Sequence, residues 1–205
     1  FNFDLVTPTG IVPGLELPVP GYHNVENALA ACVTTQLMRV PPHQIRSGLA
    51  AYRGVKRRFE FVAETPEHIY IDDYAHHPSE INAFVNSLKA LFPEKKIKLI
   101  FQPHLFTRTR DFADEFARSL SQVNEVELLE IYPAREKPIP GVTAEMLLNR
   151  ISGPKKSLLT KQEVLDKLQR INDFDVVATV GAGDIDTLVQ PIKNIIINKK
   201  NVSEA

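Results

Sequence analysis

The densest run of chemistry-bearing side chains is Asp72, Asp73, Tyr74, His76 and His77, closed by Pro78. Carboxylates, a phenol and imidazoles together can hold a polar substrate and exchange protons with it near neutral pH, where histidine titrates. A second run holds Gln102, His104, Thr107, Arg108, Thr109, Arg110 and Asp111. Its guanidinium groups offer paired planar donors to a carboxylate or phosphate. Plainer duties are open to both runs. The aspartates and histidines could cap a helix opened by Pro78 and bond backbone groups. Thr107 or Thr109 could cap a helix in which Arg110 and Asp111 are solvated, which leaves Arg108 the stronger arginine candidate.

Three further clusters carry weaker signals. Tyr22, His23, Asn24 and Asn27 follow Gly21, and Asn24 suits a helix N-cap. Lys56, Arg57 and Arg58 form a basic run whose ordinary role is a solvated linker. Gly181, Ala182 and Gly183 before Asp184 resemble a phosphate cradle, but the third glycine of the fingerprint is missing and close strand-to-helix packing accounts for the glycines equally well. A metal site is not expected, because the histidines include no His-Glu-x-x-His and the single Cys32 has no partner. A serine hydrolase is not expected either, since no Gly-x-Ser-x-Gly elbow occurs.

These runs need elements to hold them. From Phe59 onward, apolar stretches of strand length at 69–72, 97–102, 126–132 and 175–180 alternate with helical stripes, the pattern of an α/β fold with a mainly parallel sheet packed between helices. The stripes are Ile81, Phe84, Val85, Leu88 and Leu91, then Phe112, Phe116 and Leu120, then Val164, Leu165, Leu168 and Ile171, spaced as core faces. In such a sheet ligands bind beyond the carboxyl ends of the strands, which is where both runs fall.

Before Phe59 the pattern differs. Phe1, Phe3 and Leu5 alternate with polar residues, and Gly10, Pro13, Gly14, Pro18 and Pro20 follow, giving short strands and turns. Helices are predicted over 24–38 and 42–52, with Pro42 in the first turn of the second and Gly54 ending it. Val25, Leu29, Cys32 and Val33 share a helical face, making Cys32 a buried thiol. So thin a core suggests the end of a larger domain. The polar tail, 198–205, is expected to fray.

Lysine and arginine total 24 against 25 acidic residues, a net charge of -1 over 205 residues, so no global field favours nucleic acid or an acidic membrane. No apolar run reaches transmembrane length and one cysteine permits no internal disulfide, which makes a cytoplasmic location the default expectation.

Gly-Tyr-His-Asn-x-x-Asn-Ala-Leu-Ala-Ala at 21–31, Gly-Val-Lys-Arg-Arg-Phe-Glu at 54–60 and Asp-Asp-Tyr-Ala-His-His-Pro at 72–78, in that order, resemble the Mur ligase family. Phe-Gln-Pro-His at 101–104, Thr-Arg-Thr-Arg-Asp at 107–111, Ile-Tyr-Pro-Ala-Arg-Glu at 131–136 and Gly-Ala-Gly-Asp at 181–184 resemble the branch that adds L-alanine to UDP-N-acetylmuramate. The likeness runs from about residue 19 to residue 188. It implies an ATP- and Mg2+-dependent ligase of bacterial peptidoglycan synthesis. The γ-phosphate passes to the carboxylate of UDP-N-acetylmuramate, and the L-alanine amine attacks the acyl phosphate.

The resemblance also implies an organisation: the end of a central ATPase domain over 1–57, then a Rossmann-like amino-acid-binding domain over 58–205 with helices on both sheet faces. His23, Asn24 and Asn27 match the nucleotide side, Arg58 an arginine that reaches the phosphates on domain closure, and Asp73 an acid that accepts from the ATP ribose. Tyr74, His76, His104 and Arg108 match the region facing L-alanine and the reacting carboxyl, where a cation would hold the amino acid's carboxylate. The implied catalytic set is Arg58, His76, His104 and Arg108, with no metal ligand. Leu105-Phe106 stands where the family commonly has Arg-Tyr, which puts more of the recognition on Arg108. Neither a Gly-x-x-Gly-Lys-Thr loop nor a UDP-binding domain occurs in these residues, so the chain alone is not expected to hydrolyse ATP, and the rest of its own chain is an expected partner. Two other readings stay open. One is the recycling member of the family that attaches a ready-made murein tripeptide to the same nucleotide sugar, against which Phe101-Gln102-Pro103-His104 argues. The other is a non-catalytic Rossmann-like module using Gly181 to Gly183 as a dinucleotide loop.

Overall fold

The structure, a computed structural model, describes residues 1–8 and 10–203, without the side chains of His23, Lys200, Asn201, Val202 and Ser203. The chain divides into two compact units, Phe1–Val55 and Lys56–Ala205.

In the first unit β1 (Asn2–Thr7) and β2 (Gly10–Glu16) form an antiparallel hairpin, followed by α1 (Tyr22–Leu37) and α2 (Pro42–Ala50). Leu5, Val12, Leu15, Cys32 and Ile45 make its small core. The buried line along α1 is Asn24, Ala28 and Cys32, with Val25 and Val33 half-buried, while Leu29 is exposed and drops out of the expected face. Pro42 opens α2 in its first turn, but the helix stops at Ala50 with Ala51 as its cap. Gly54, at φ 83, therefore serves the connecting segment and does not end the helix.

The second unit runs β3 (Glu60–Glu64), β4 (Ile69–Asp73), α3 (Pro78–Leu91), β5 (Ile97–Phe101), α4 (Phe106–Asp111), α5 (Ala113–Leu120), β6 (Glu125–Leu128), α6 (Ala144–Arg150), β7 (Lys155–Leu158), α7 (Lys161–Arg170), β8 (Val176–Val180), a 3₁₀ turn at Asp184–Leu188 and α8 (Val189–Ser203). The sheet order is β3-β4-β8-β5-β6-β7, with β3 antiparallel and every other pair parallel. Period-two alternation assigns the two faces. Ile71, Leu99, Phe101 and Val126 pack with Phe84 and Leu88 of α3, Phe116 of α5 and Leu147 of α6. Tyr70, Ile100 and Val177 pack with Val164 and Leu168 of α7 and Ile192 and Ile196 of α8 on the other side. The fold is thus α/β with helices on both faces.

Several expectations shift. The edge strands β3 and β7 were not predicted; β7 is a four-residue segment with two lysines, a short charged edge of the kind that resists mispairing. The strand expected over 126–132 ends at Leu128, and Phe112 is the junction between α4 and α5. Leu91 is exposed although it extends the α3 stripe. The tail expected to fray is helical through Ser203, where the Lys199 amine donates to the Ile171 carbonyl at 2.7 Å; residues 204 and 205 lie outside the described residues.

Candidate functional site

The carboxyl ends of β4, β8 and β5 lie side by side, with Asp73 in register with Val180 and Val180 with Phe101. The alternation that buries Ile71 and Tyr70 carries straight on into Asp72 and Asp73, so both carboxylates are buried. Asp72 Oδ2 takes the Arg57 guanidinium at 2.9 Å and Oδ1 accepts from Thr179 Oγ1 at 2.5 Å. With its proton committed to Asp72, the Thr179 hydroxyl must accept from Tyr70 at 2.9 Å. The same Arg57 donates to the Gly181 carbonyl at 2.7 Å, tying the β3 approach to the β8 end. Burial raises the Asp72 carboxyl, with Thr179 and Arg57 opposing.

Asp73 accepts from the Phe59 amide through Oδ2 and from the Ala75 amide through Oδ1, each at 2.7 Å. Burial pushes its carboxyl up to about 6 against those bonds. Each oxygen accepts one backbone amide within the fold, so Asp73 holds the segment carrying Arg57 and Arg58. His77 is likewise structural. Its Nδ1 faces Ser79 and Glu80 accepts from its backbone amide, a capping box for α3 that Pro78 opens.

Tyr74 and His76 escape this inward packing. Tyr74 is exposed, with the Arg57 and Arg58 guanidiniums over its ring at 5.2 and 5.9 Å from the centroid, and its ring meets His76 edge-on at 5.3 Å. His76 Nδ1 lies 3.1 Å from the Tyr74 carbonyl and 3.4 Å from Glu80. Across the sheet end stands His104, its ring 6.1 Å from that of His76. Arg108 Nη1 donates to His104 Nδ1 at 3.4 Å, and a guanidinium can only donate, which assigns the ring proton to Nε2. Burial, then the Arg108 cation and His76, hold the His104 imidazole below its ordinary value, so it is neutral at pH 7. Tyr74, His76, His104 and Arg108 therefore converge on one rim. Arg58 is exposed at its border and makes no hydrogen bond among the described residues.

Arg110 is exposed and paired with Asp111 at 2.7 Å, a solvated pair. Neither threonine caps α4. Thr107 donates its amide at 2.9 Å, and its hydroxyl, to Glu136, while Thr109 bonds the Leu105 carbonyl. In the first unit the N-cap of α1 is Gly21 with no side-chain bond; Asn24 is buried and its amide donates to the Pro20 carbonyl at 2.6 Å, so it does not cap. Asn27 is exposed, and the His23 side chain lies outside the described residues.

The glycine loop is filled by protein. A Cβ at Gly181 would meet the Gln102 carbonyl at 2.8 Å, and one at Gly183 would meet Gln102 Oε1 at 2.5 Å and Tyr132 at 2.7 Å. Asp184 and Asp186 occupy the following turn. Close packing explains these glycines, and two carboxylates oppose a phosphate there. Arg57, Tyr132 and Glu136 are the site residues that residue-type reasoning left without a role. They lie in the runs at 54–60 and 131–136, but their partners are far away in sequence, so those runs do not show what each side chain holds. Among the described residues no group of three or more His, Cys, Asp or Glu side chains could hold a metal ion, and no helix is long and apolar enough to cross a membrane.

A parallel α/β sheet whose strand ends carry a rim of imidazole, phenol and guanidinium is suited to a small polar substrate bearing a carboxylate. The family description "Mur ligase, glutamate ligase domain" matches residues 57–183, and the chain belongs to the Mur ligase family. It is 46% identical to UDP-N-acetylmuramate-L-alanine ligase of Flavobacterium psychrophilum over 97% of this chain and 44% of that relative. Against the enzyme of the same name from Porphyromonas gingivalis W83 the identity is 49%, over 92% of this chain and 41% of the relative. Among solved structures, UDP-N-acetylmuramate-alanine ligase of Thermotoga maritima superposes with a TM-score of 0.73 at 30% identity, over 92% of this chain and 40% of that one. A murein peptide ligase from Psychrobacter arcticus, at TM-score 0.61 and 20% identity over 88% of this chain and 39% of that one, shares the fold. The chain thus spans less than half the length of these relatives.

Proposed function

We propose that this chain is the amino-acid-binding part of an ATP- and Mg2+-dependent ligase that joins L-alanine to UDP-N-acetylmuramate in the cytoplasm. Residues 58–205 would form the amino-acid-binding domain and residues 1–57 the end of the ATPase domain. The observation that carries the reading is the pairing of a cation, Arg108, with a neutral imidazole, His104, at the strand ends. Arg108 would hold the L-alanine carboxylate, as a guanidinium suits. His76, whose Nδ1 donates to the Tyr74 carbonyl and leaves Nε2 to accept, would take the amine and aim it at the activated carboxyl, while His104 holds the Arg108 guanidinium beside it. Tyr74 would border that pocket, and the exposed Arg58 has donors available for a phosphate after domain closure. When bound, ATP supplies the phosphoryl group that activates the carboxylate. The filled Gly181 to Gly183 loop does not fit a phosphate or dinucleotide, which removes support from the non-catalytic nucleotide-module reading. Among the described side chains of the proposed nucleotide-side motif, Asn27 is exposed and Asn24 buried.

The test is phosphate release by the full-length protein with Mg-ATP and UDP-N-acetylmuramate, offered either free L-alanine or the L-Ala-D-Glu-diaminopimelate tripeptide. Turnover with L-alanine is expected. Turnover with the tripeptide alone would transfer the assignment to the recycling ligase, and turnover with neither would sink both. Residues 1–205 on their own are expected to release no phosphate. In the full-length protein Arg108→Lys should lower kcat/KM for L-alanine by about ten- to a hundredfold, the worth of a lost charged hydrogen bond. Steady-state kinetics with L-alanine varied would check this.

A further inference from the structure

We infer that Tyr132 is a positioning residue for the His104 and Arg108 pair, seated on Gly183 and assisted by Glu136, so that the loop of residues 131–136 sets the geometry of the amino-acid pocket. The inference rests on the ligase reading and adds to it a brace that touches no substrate.

Three observations converge on it. Tyr132 grips the backbone on both sides of His104. Its amide donates to the Pro103 carbonyl at 2.8 Å and its carbonyl accepts from the Leu105 amide at 2.9 Å, a lone parallel bridge outside the sheet. Its ring stacks on the His104 imidazole at 5.6 Å and 23°. Beneath the ring, Gly183 allows a close approach: a Cβ there would come within 2.7 Å of Tyr132 Cβ and Cγ, atoms that cannot retreat without taking the stack with them.

The loop holds a second point further along. Glu136 accepts from the amide and hydroxyl of Thr107, immediately before Arg108. Between the two grips lies Leu105 at φ 74, a left-handed conformation that a leucine keeps only where its neighbours over-determine it. Setting Arg108 and His104 by a brace is one way for a single guanidinium to bind a carboxylate in a fixed pose. The charged and titratable groups facing His104 are Arg108, His76 and Glu136, and the Tyr132 ring covers its face.

Two measurements test the brace. In the full-length protein, Tyr132→Ala should raise KM for L-alanine by about tenfold, the upper range for an aromatic pair, and leave KM for ATP unchanged. Tyr132→Phe, which keeps the stack, should match the parent. Gly183→Ala should move KM in the same direction as Tyr132→Ala by displacing the ring from below. In the 205-residue chain, NMR titration of the His104 imidazole should give a higher midpoint in Tyr132→Ala than in the parent or Tyr132→Phe. An unchanged L-alanine KM in Tyr132→Ala, or a Phe variant as impaired as the Ala variant, overturns the proposal. If the protein does not turn over L-alanine, the reaction reading falls and the titration alone decides: a raised midpoint upholds the brace, an unmoved one overturns it.

Discussion

Asp73 is kept for its lone pairs. Its carboxylate terminates two backbone amides that would otherwise be buried without partners, at the cost of holding a charge away from water. Its folded value of about 6 exceeds the ordinary 3.8. For a raised value the favourable contribution is complete below the unfolded value and lost as pH rises through the folded one. Asp73 alone should thus make the chain progressively less stable between about pH 4 and pH 6. Carboxyl NMR should give it a midpoint near 6; a midpoint at or below 4 would contradict the burial described here. His104 has the opposite sign, since its folded value is depressed. Its contribution is present above the ordinary imidazole value and lost as pH falls through the folded one. At this scale the sequence was partly legible. Pro78 announced the start of α3, and Arg108 stood out from Arg110. Which carboxylate would face a ligand was not legible, because the strand's alternation carries both Asp72 and Asp73 inward and only the three-dimensional neighbours Phe59 and Arg57 show why.

Among the elements, β4, β5 and β8 were readable because buried parallel strands are apolar runs, and α3 and α7 because their stripes keep the helical period. The edges β3 and β7 were not, since a half-exposed strand with charged residues resembles a loop. Within β5 the sequence concealed Lys98, which is fully buried yet sits in an apolar run. It pairs with Glu127 at 3.0 Å and Glu125 at 2.9 Å, and Lys167 joins both glutamates at 2.7 and 2.9 Å. Glu127 is also fully buried, and its Oε2 has no partner among the described residues. Removing one partner of such a pair costs more than removing both, because a lone buried charge remains. Lys98→Met should therefore destabilise the chain by about 3 kcal/mol or more, while Lys98→Met with Glu127→Leu should recover most of the loss. Urea denaturation would measure both. A double variant as unstable as the single one would mean that packing, not charge, governs this position.

At the scale of the molecule, the two units differ in what they bury. The second unit covers both faces of a six-stranded sheet with helices and holds two extended cores. Among its described residues the first has a two-stranded hairpin, two helices and one small core cluster built on Leu5, Val12, Leu15, Cys32 and Ile45. It also leaves Val6, Ile11, Tyr22, Leu37 and Met38 well exposed. Local opening free energy follows the apolar area that an opening exposes, so a thin core opens sooner than a sandwiched sheet. Amide hydrogen exchange on the 205-residue chain should therefore show weaker protection in β1, β2 and α1 than in β4, β5 and β8. A fragment of residues 56–205 should keep a cooperative urea transition, whereas residues 1–55 alone should not. Equal protection in the two units, or a cooperative transition in residues 1–55, would show that the first unit's core suffices by itself. Reduced protection would fit the expectation that its apolar surface is completed by further chain.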